Sequence, residues 1–97
     1  MHARVMTFSV RGDNFDRVIR VVQQRILPAA RRQPGFGALV LMSNREEGKI
    51  VTNTYWNTEA DMHASESAGY LQEQISWLIS LLKVPPDIEH YEVDVIS

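Results

Sequence analysis

The sequence predicts an α+β domain with the element order strand, helix, strand, strand, helix, strand, and three observations carry that reading. Apolar and polar residues alternate at both ends of the chain; a pair of β-rich stretches flanks a glycine-containing loop in the middle; and two segments with helical apolar spacing lie between these strands. Ninety-seven residues support one hydrophobic core, so residues 1–97 are read as a single domain.

From Arg4 to Arg11, Met6, Phe8 and Val10 fall on one side of an extended chain and Val5, Thr7 and Ser9 on the other, which predicts the first strand. Gly12-Asp13-Asn14 interrupts it, and Asp13 or Asn14 can cap a helix whose apolar stripe is Phe15, Val18, Ile19, Val22 and Ile26. Pro28 removes one donor late in that helix and predicts a kink, and Gln33-Pro34-Gly35 provides a tight turn. Phe36 to Ser43 and Ile50 to Trp56, joined by a polar loop from Asn44 to Lys49, predict a hairpin.

Thr58, with Asp61 three residues on, resembles a capping box and opens the longest helical pattern, with a seam of Ala60, Ala64, Ala68, Leu71, Ile75, Leu78 and Leu82. Gly69 in its middle predicts a bend or break. Pro85-Pro86 stops the helix, and Ile88 to Ile96 alternates as the last strand.

Composition narrows the function. Hydrophobic residues at 44% and charged residues at 23% are those of a chain that folds, not of a disordered one. A net charge of −2 gives no overall attraction to nucleic acid or anionic lipid, and the basic pair Arg31-Arg32 reads as a solvated helix end. The absence of cysteine excludes disulfides, thiolate metal sites and cysteine nucleophiles. No long apolar run or signal-like leader is present, so no membrane association and a cytoplasmic location are expected.

Right-handed crossovers would place both helices on one face of a four-stranded antiparallel sheet. The other face would then be bare, yet the second strand offers Phe36, Ala38, Val40 and Met42 on one side and Leu39 and Leu41 on the other. Both faces therefore need cover, and because the expected elements use nearly the whole chain, a second copy is the expected cover. Trp77 and Leu81 lie on a separate stripe that could add to such a contact.

Leu27-Pro28, Gln33-Pro34-Gly35-Phe36, Gly48-Lys49 and Tyr55-Trp56-Asn57-Thr58-Glu59-Ala60, in this order and spacing, resemble the antibiotic biosynthesis monooxygenase family. The resemblance implies a ferredoxin-like βαββαβ fold, assembly as a homodimeric α+β barrel, and a pocket in each subunit between sheet and helices. It also implies a range of activities, from oxygenation of aromatic polyketides and quinols without metal or flavin to haem degradation. Substrate has to be argued from the site.

Trp56 matches an aromatic that the family commonly presents to ligands, and its ring would suit stacking of an aromatic substrate. Asn53 and Tyr55 are neighbouring polar groups, and Asn53 or a nearby hydroxyl such as that of Thr54 could stabilise a substrate oxygen as it becomes an anion. Strand parity divides this set, since Asn53 and Tyr55 face one way and Thr52, Thr54 and Trp56 the other. His63, near the start of the second helix, is the candidate base for a phenolic proton; His2 and His90 read as exposed.

No metal site is expected, because the three histidines are scattered along the chain. Haem degradation fits poorly. That branch pairs its tryptophan with an asparagine and a histidine whose places here fall near Val5 and near Glu66 or Ser67. Gly35-Phe36-Gly37 does not open a helix and reads as no phosphate loop. The resulting expectation is a cofactor-independent monooxygenase of a small phenolic or quinol-like aromatic. The alternative is a non-catalytic small-ligand-binding or assembly protein on the same barrel.

Overall fold

The computed structural model describes all 97 residues. The elements are β1 (His2–Ser9), α1 (Phe15–Val21), α2 (Leu27–Arg31), β2 (Phe36–Asn44), β3 (Lys49–Trp56), α3 (Glu59–Ser67), α4 (Tyr70–Leu78) and β4 (Asp87–Glu92). The strands form one antiparallel sheet in the order β2-β3-β1-β4, the ferredoxin-like arrangement that the element order predicts. No helix is long and apolar enough to cross a membrane.

The first helical segment is not one regular helix. A π-helical turn, Val22–Ile26, separates α1 from α2, and the Leu27 amide reaches back to the Val22 carbonyl. Pro28 explains its place: with no N–H and a ring that crowds the carbonyl four residues earlier, proline favours a widened turn just before it. The apolar stripe survives, with Phe15, Val18, Val22, Ile26 and Ala30 all buried.

Gly69 breaks the second helical segment. Its φ of +80° is a left-handed conformation that glycine adopts without steric cost, so α3 and α4 are separate helices. Leu71 and Leu78 of the expected seam are buried and Ile75 packs beside them, but Ala60, Ala64 and Ala68 face solvent. On α3 the buried residues are Met62 and Ser65. Met62 removes more apolar area from water than any alanine, and the Ser65 hydroxyl accepts a hydrogen bond from Arg4 below it. The Thr58 hydroxyl accepts from the Asp61 amide at 3.0 Å, whereas the Asp61 carboxylate closes over Gly35, leaving no room for a side chain there.

The strands also differ from expectation in instructive ways. A bulge at Gly37 shifts the register between Phe36 and Ala38, so Phe36 joins the helix side and meets the Trp56 ring edge-on at 5.7 Å. Ala38, Val40 and Met42 remain on the opposite face, as alternation predicts, with Val40 and Met42 43% and 49% exposed. β4 ends at Glu92 instead of running on to Ile96, with one further backbone hydrogen bond from the Val93 amide to the Met1 carbonyl at 3.0 Å.

One face of the sheet packs Met6, Phe8, Val10 and Ile50 against the helices as the core. The other face, with Ala38, Val40, Met42, Val51, Asn53 and Tyr55 in its β2-β3 half, has no helix over it. Trp77 and Leu81 pack at the edge of the chain's own core, with the Arg25 guanidinium 4.3 Å above the Trp77 ring. They are therefore already partnered within the chain.

Candidate functional site

An enclosed cavity lies between the sheet and the helices. Its apolar wall is Met6, Phe8, Val22, Ile26, Leu39, Ile75 and Leu78, and Arg4, Thr52, Thr54 and Gln74 supply its polar groups. Its volume, about 20 Å³, holds one water molecule and is an order of magnitude below that of a drug-sized ligand pocket.

Arg4 is the side chain that sequence reasoning missed. It sits in β1 next to the N-terminus, where an arginine reads as solvated, yet it is 1% exposed. Strand parity places it on the same face as Met6 and Phe8, and α3 covers it. Its Nη1 donates to the Ser65 hydroxyl at 2.8 Å and to the Met62 carbonyl at 3.4 Å, and lies 3.4 Å from Glu66 Oε2. The guanidinium stands 5.2 Å from the centre of the Trp56 ring. Its Nε is buried without any partner.

Burial lowers the Arg4 pKa from its ordinary value, and Glu66 opposes that shift; a guanidinium remains charged in such a setting. Arg4 thus places a permanent cation, paired at one end with Glu66 and with one donor unused, in the wall of an apolar cavity. Across the cavity, Gln74 donates to the Tyr70 hydroxyl and to the Ile26 carbonyl, and burial raises the Tyr70 pKa so that its phenol stays neutral.

The residues singled out from the sequence are divided among three places. Thr54 lines the cavity; its Oγ1 accepts from the Trp56 indole N–H at 3.0 Å and donates to the Arg4 carbonyl at 3.4 Å. Trp56 is wholly buried between Phe36 and Arg4, not open to the cavity, and forms the rear support of the guanidinium. Trp56→Ala is expected to lower unfolding free energy by about 3–5 kcal/mol, the usual cost of deleting a buried large aromatic, measured by urea denaturation.

Asn53 and Tyr55 lie on the opposite sheet face. The Asn53 amide donates to the Tyr55 hydroxyl at 3.2 Å, while Asn53 Oδ1 is buried without a donor. His63 stands on the outer side of α3, its side chain 54% exposed, between Glu59 and Glu66. It does not line the cavity.

The family model described as Antibiotic biosynthesis monooxygenase matches residues 1–75. The chain belongs to that family. Solved structures with the family's fold include a monooxygenase from the gene ActVA-Orf6 of Streptomyces coelicolor, in complex with nanaomycin D. It superposes with a TM-score of 0.85 at 20% identity, covering 99% of this chain and 89% of that one. SnoaB, a cofactor-independent oxygenase from Streptomyces nogalater, gives 0.77 at 20% identity, covering 98% and 94%. A protein of unknown function from Nitrosomonas europaea gives 0.80 at 17% identity, covering 99% and 91%. At these identities the likeness establishes the shared fold. No curated protein sequence matches significantly.

Proposed function

We propose that the chain is a monooxygenase that oxidises a small phenolic or quinol-like aromatic with dioxygen, in the cavity between sheet and helices, without a metal or flavin. The observation that carries this reading is the buried Arg4 with its unpartnered Nε at a polar patch of an otherwise apolar cavity. Glu66 already faces one end of the guanidinium, but the unmet Nε donor still calls for an acceptor, and the conjugate base of a phenol or an enolised anthrone offers an anionic oxygen on a flat apolar body.

In this mechanism the substrate gives up a proton to solvent water as it enters, no side chain that lines the cavity being a base, and its oxyanion is held by Arg4, with Thr54 and Gln74 as neighbouring polar groups. The electron-rich carbon then adds dioxygen. Breakdown of the resulting hydroperoxide leaves one oxygen atom in the product as a carbonyl and releases the other as water. The apolar wall keeps solvent from quenching the anion. A ring enters only if the cavity widens, and the left-handed break at Gly69 with the π-helical turn before Pro28 are the joints that allow α4 and α2 to move apart.

The chain is proposed to act as a two-fold dimer whose uncovered sheet faces pack together. The apolar face of β2 and the orphaned Asn53 Oδ1 on it both support that arrangement, since a second copy would bury the one and supply a donor to the other.

The deciding experiment is oxygen uptake by chelator-treated protein over a panel of hydroquinones, anthrones and naphthols. Turnover above the spontaneous rate, saturable in substrate, is the expected result. Uptake no faster than the spontaneous reaction across the panel would overturn the oxygenase reading. Together with the nearly filled cavity, it would make the chain a binding or assembly protein.

A further inference from the structure

Three groups that are distant in sequence meet on the outer side of α3. His63 and Glu66, three residues apart, turn the same way along the helix, and the antiparallel pairing of β4 with β1 brings His90 up beside them. Their ligand atoms all lie within 4.8 Å of one another. Glu66 Oε2 is central, 2.9 Å from His90 Nε2 and 3.8 Å from His63 Nδ1.

We infer that His63, Glu66 and His90 form a binding site for a divalent transition-metal ion, with zinc as the best match. The donor set is the first reason. Two imidazole nitrogens and one carboxylate oxygen suit zinc, copper or nickel, whereas calcium and magnesium take oxygen shells. Spacing is the second. Tetrahedral ligands at zinc bond lengths stand roughly 3.3 Å apart, and the two distances to Glu66 Oε2, 2.9 and 3.8 Å, bracket that value. All three ligand atoms lie within 4.8 Å of one another, so the side chains must draw together around an ion.

The surroundings point to a ligand independently. His63 presents Nδ1 to Glu66, and its other ring nitrogen, Nε2, lies 3.6 Å from Glu59 Oε1. A carboxylate that hydrogen-bonds the far nitrogen is the usual support of a metal-bound histidine, and Glu59 stands just outside that distance. Glu66 is steadied in turn by buried Arg4 at 3.4 Å. A hollow of about 190 Å³ lined by His63 and His90, and bordered by His2, Glu59 and Glu92, has room for water or an exchangeable ligand at a fourth position.

This inference does not rest on the oxygenase reading, and its test needs no turnover. The chelator-stripped full chain is titrated with zinc chloride by calorimetry, and with cobalt chloride to follow the visible absorption of a bound cobalt ion. One ion per chain is expected, with affinity falling at least about tenfold in His63→Ala and in His90→Ala. Both histidines are exposed, so circular dichroism should show each variant folded as before. His2→Ala should bind within about threefold of the parent, because its loss leaves all three ligands in place. Absence of saturable uptake at free zinc on the order of 100 µM, or uptake unchanged by either His63→Ala or His90→Ala, would overturn the assignment and leave a surface ion-pair cluster. A loss in His2→Ala as large as in the other two would overturn it as well, by moving the ion into the hollow.

Discussion

Replacing Arg4 by methionine is expected to lower oxygen uptake by about two to three orders of magnitude, the scale set by removing one donor aimed at a developing oxyanion. Methionine is apolar and adaptable, so it can occupy the space between Trp56 and α3 and the fold should persist. Glu66 loses one partner but keeps His90 at 2.9 Å and partial contact with water, so no wholly buried carboxylate is stranded. The comparison that isolates electrostatics is Arg4→Lys, which retains the charge but lacks the planar fork and Nε. A partial recovery in Arg4→Lys, expressed in kcat more than in KM, is expected if the cation acts on the anionic transition state. Turnover in Arg4→Met within threefold of the parent would place the anion elsewhere in the molecule.

The second large effect concerns assembly. Val40→Asp is expected to convert a dimer into a monomer at micromolar concentration, read as a fall in light-scattering mass from twice 11.1 kDa to 11.1 kDa. Val40 is 43% exposed in the isolated chain and lies beside Met42 and opposite Asn53 on the uncovered sheet face. An aspartate there is hydrated in the monomer and costs little. In a two-fold dimer it is desolvated without a cation, and symmetry applies the cost twice, several kcal/mol for each copy. Far-ultraviolet circular dichroism should therefore stay unchanged while the mass halves. A parent chain that is already monomeric at this concentration would end the dimer proposal.

Much of the fold was legible because short-range periodicity maps directly onto burial. Alternation in β1 and β3 separates Met6, Phe8, Ile50 and Thr52 from Val5, Thr7, Val51 and Asn53, and the structure keeps that division. It also divides the candidate residues, putting Thr54 and Trp56 on the helix side and Asn53 and Tyr55 on the other, as parity requires. The misplaced features depend on partners that periodicity cannot name. The alanines of α3 look like a seam by spacing, but the buried side of a helix is decided by what lies beneath it, and Arg4 beneath α3 draws in Ser65 and the Met62 carbonyl. Phe36 moved to the other face because of a single bulge at Gly37, and a one-residue shift reverses parity.

By itself the sequence determined the order of elements, the turn and break positions at Gly35, Gly69 and Pro28, the two-sided apolar character of β2, and the family. These follow from local propensity and period, which each segment carries with it. Only the tertiary structure decided that Arg4 is a buried cation against a cavity, that Trp56 is its support, and that His63, Glu66 and His90 share one place. Those facts arise from contacts across 24 to 61 residues of chain, set by the pairing of β1 with β4 and the packing of α3 over both. No local pattern encodes such a meeting, because what brings the side chains together is the burial of the apolar residues around them.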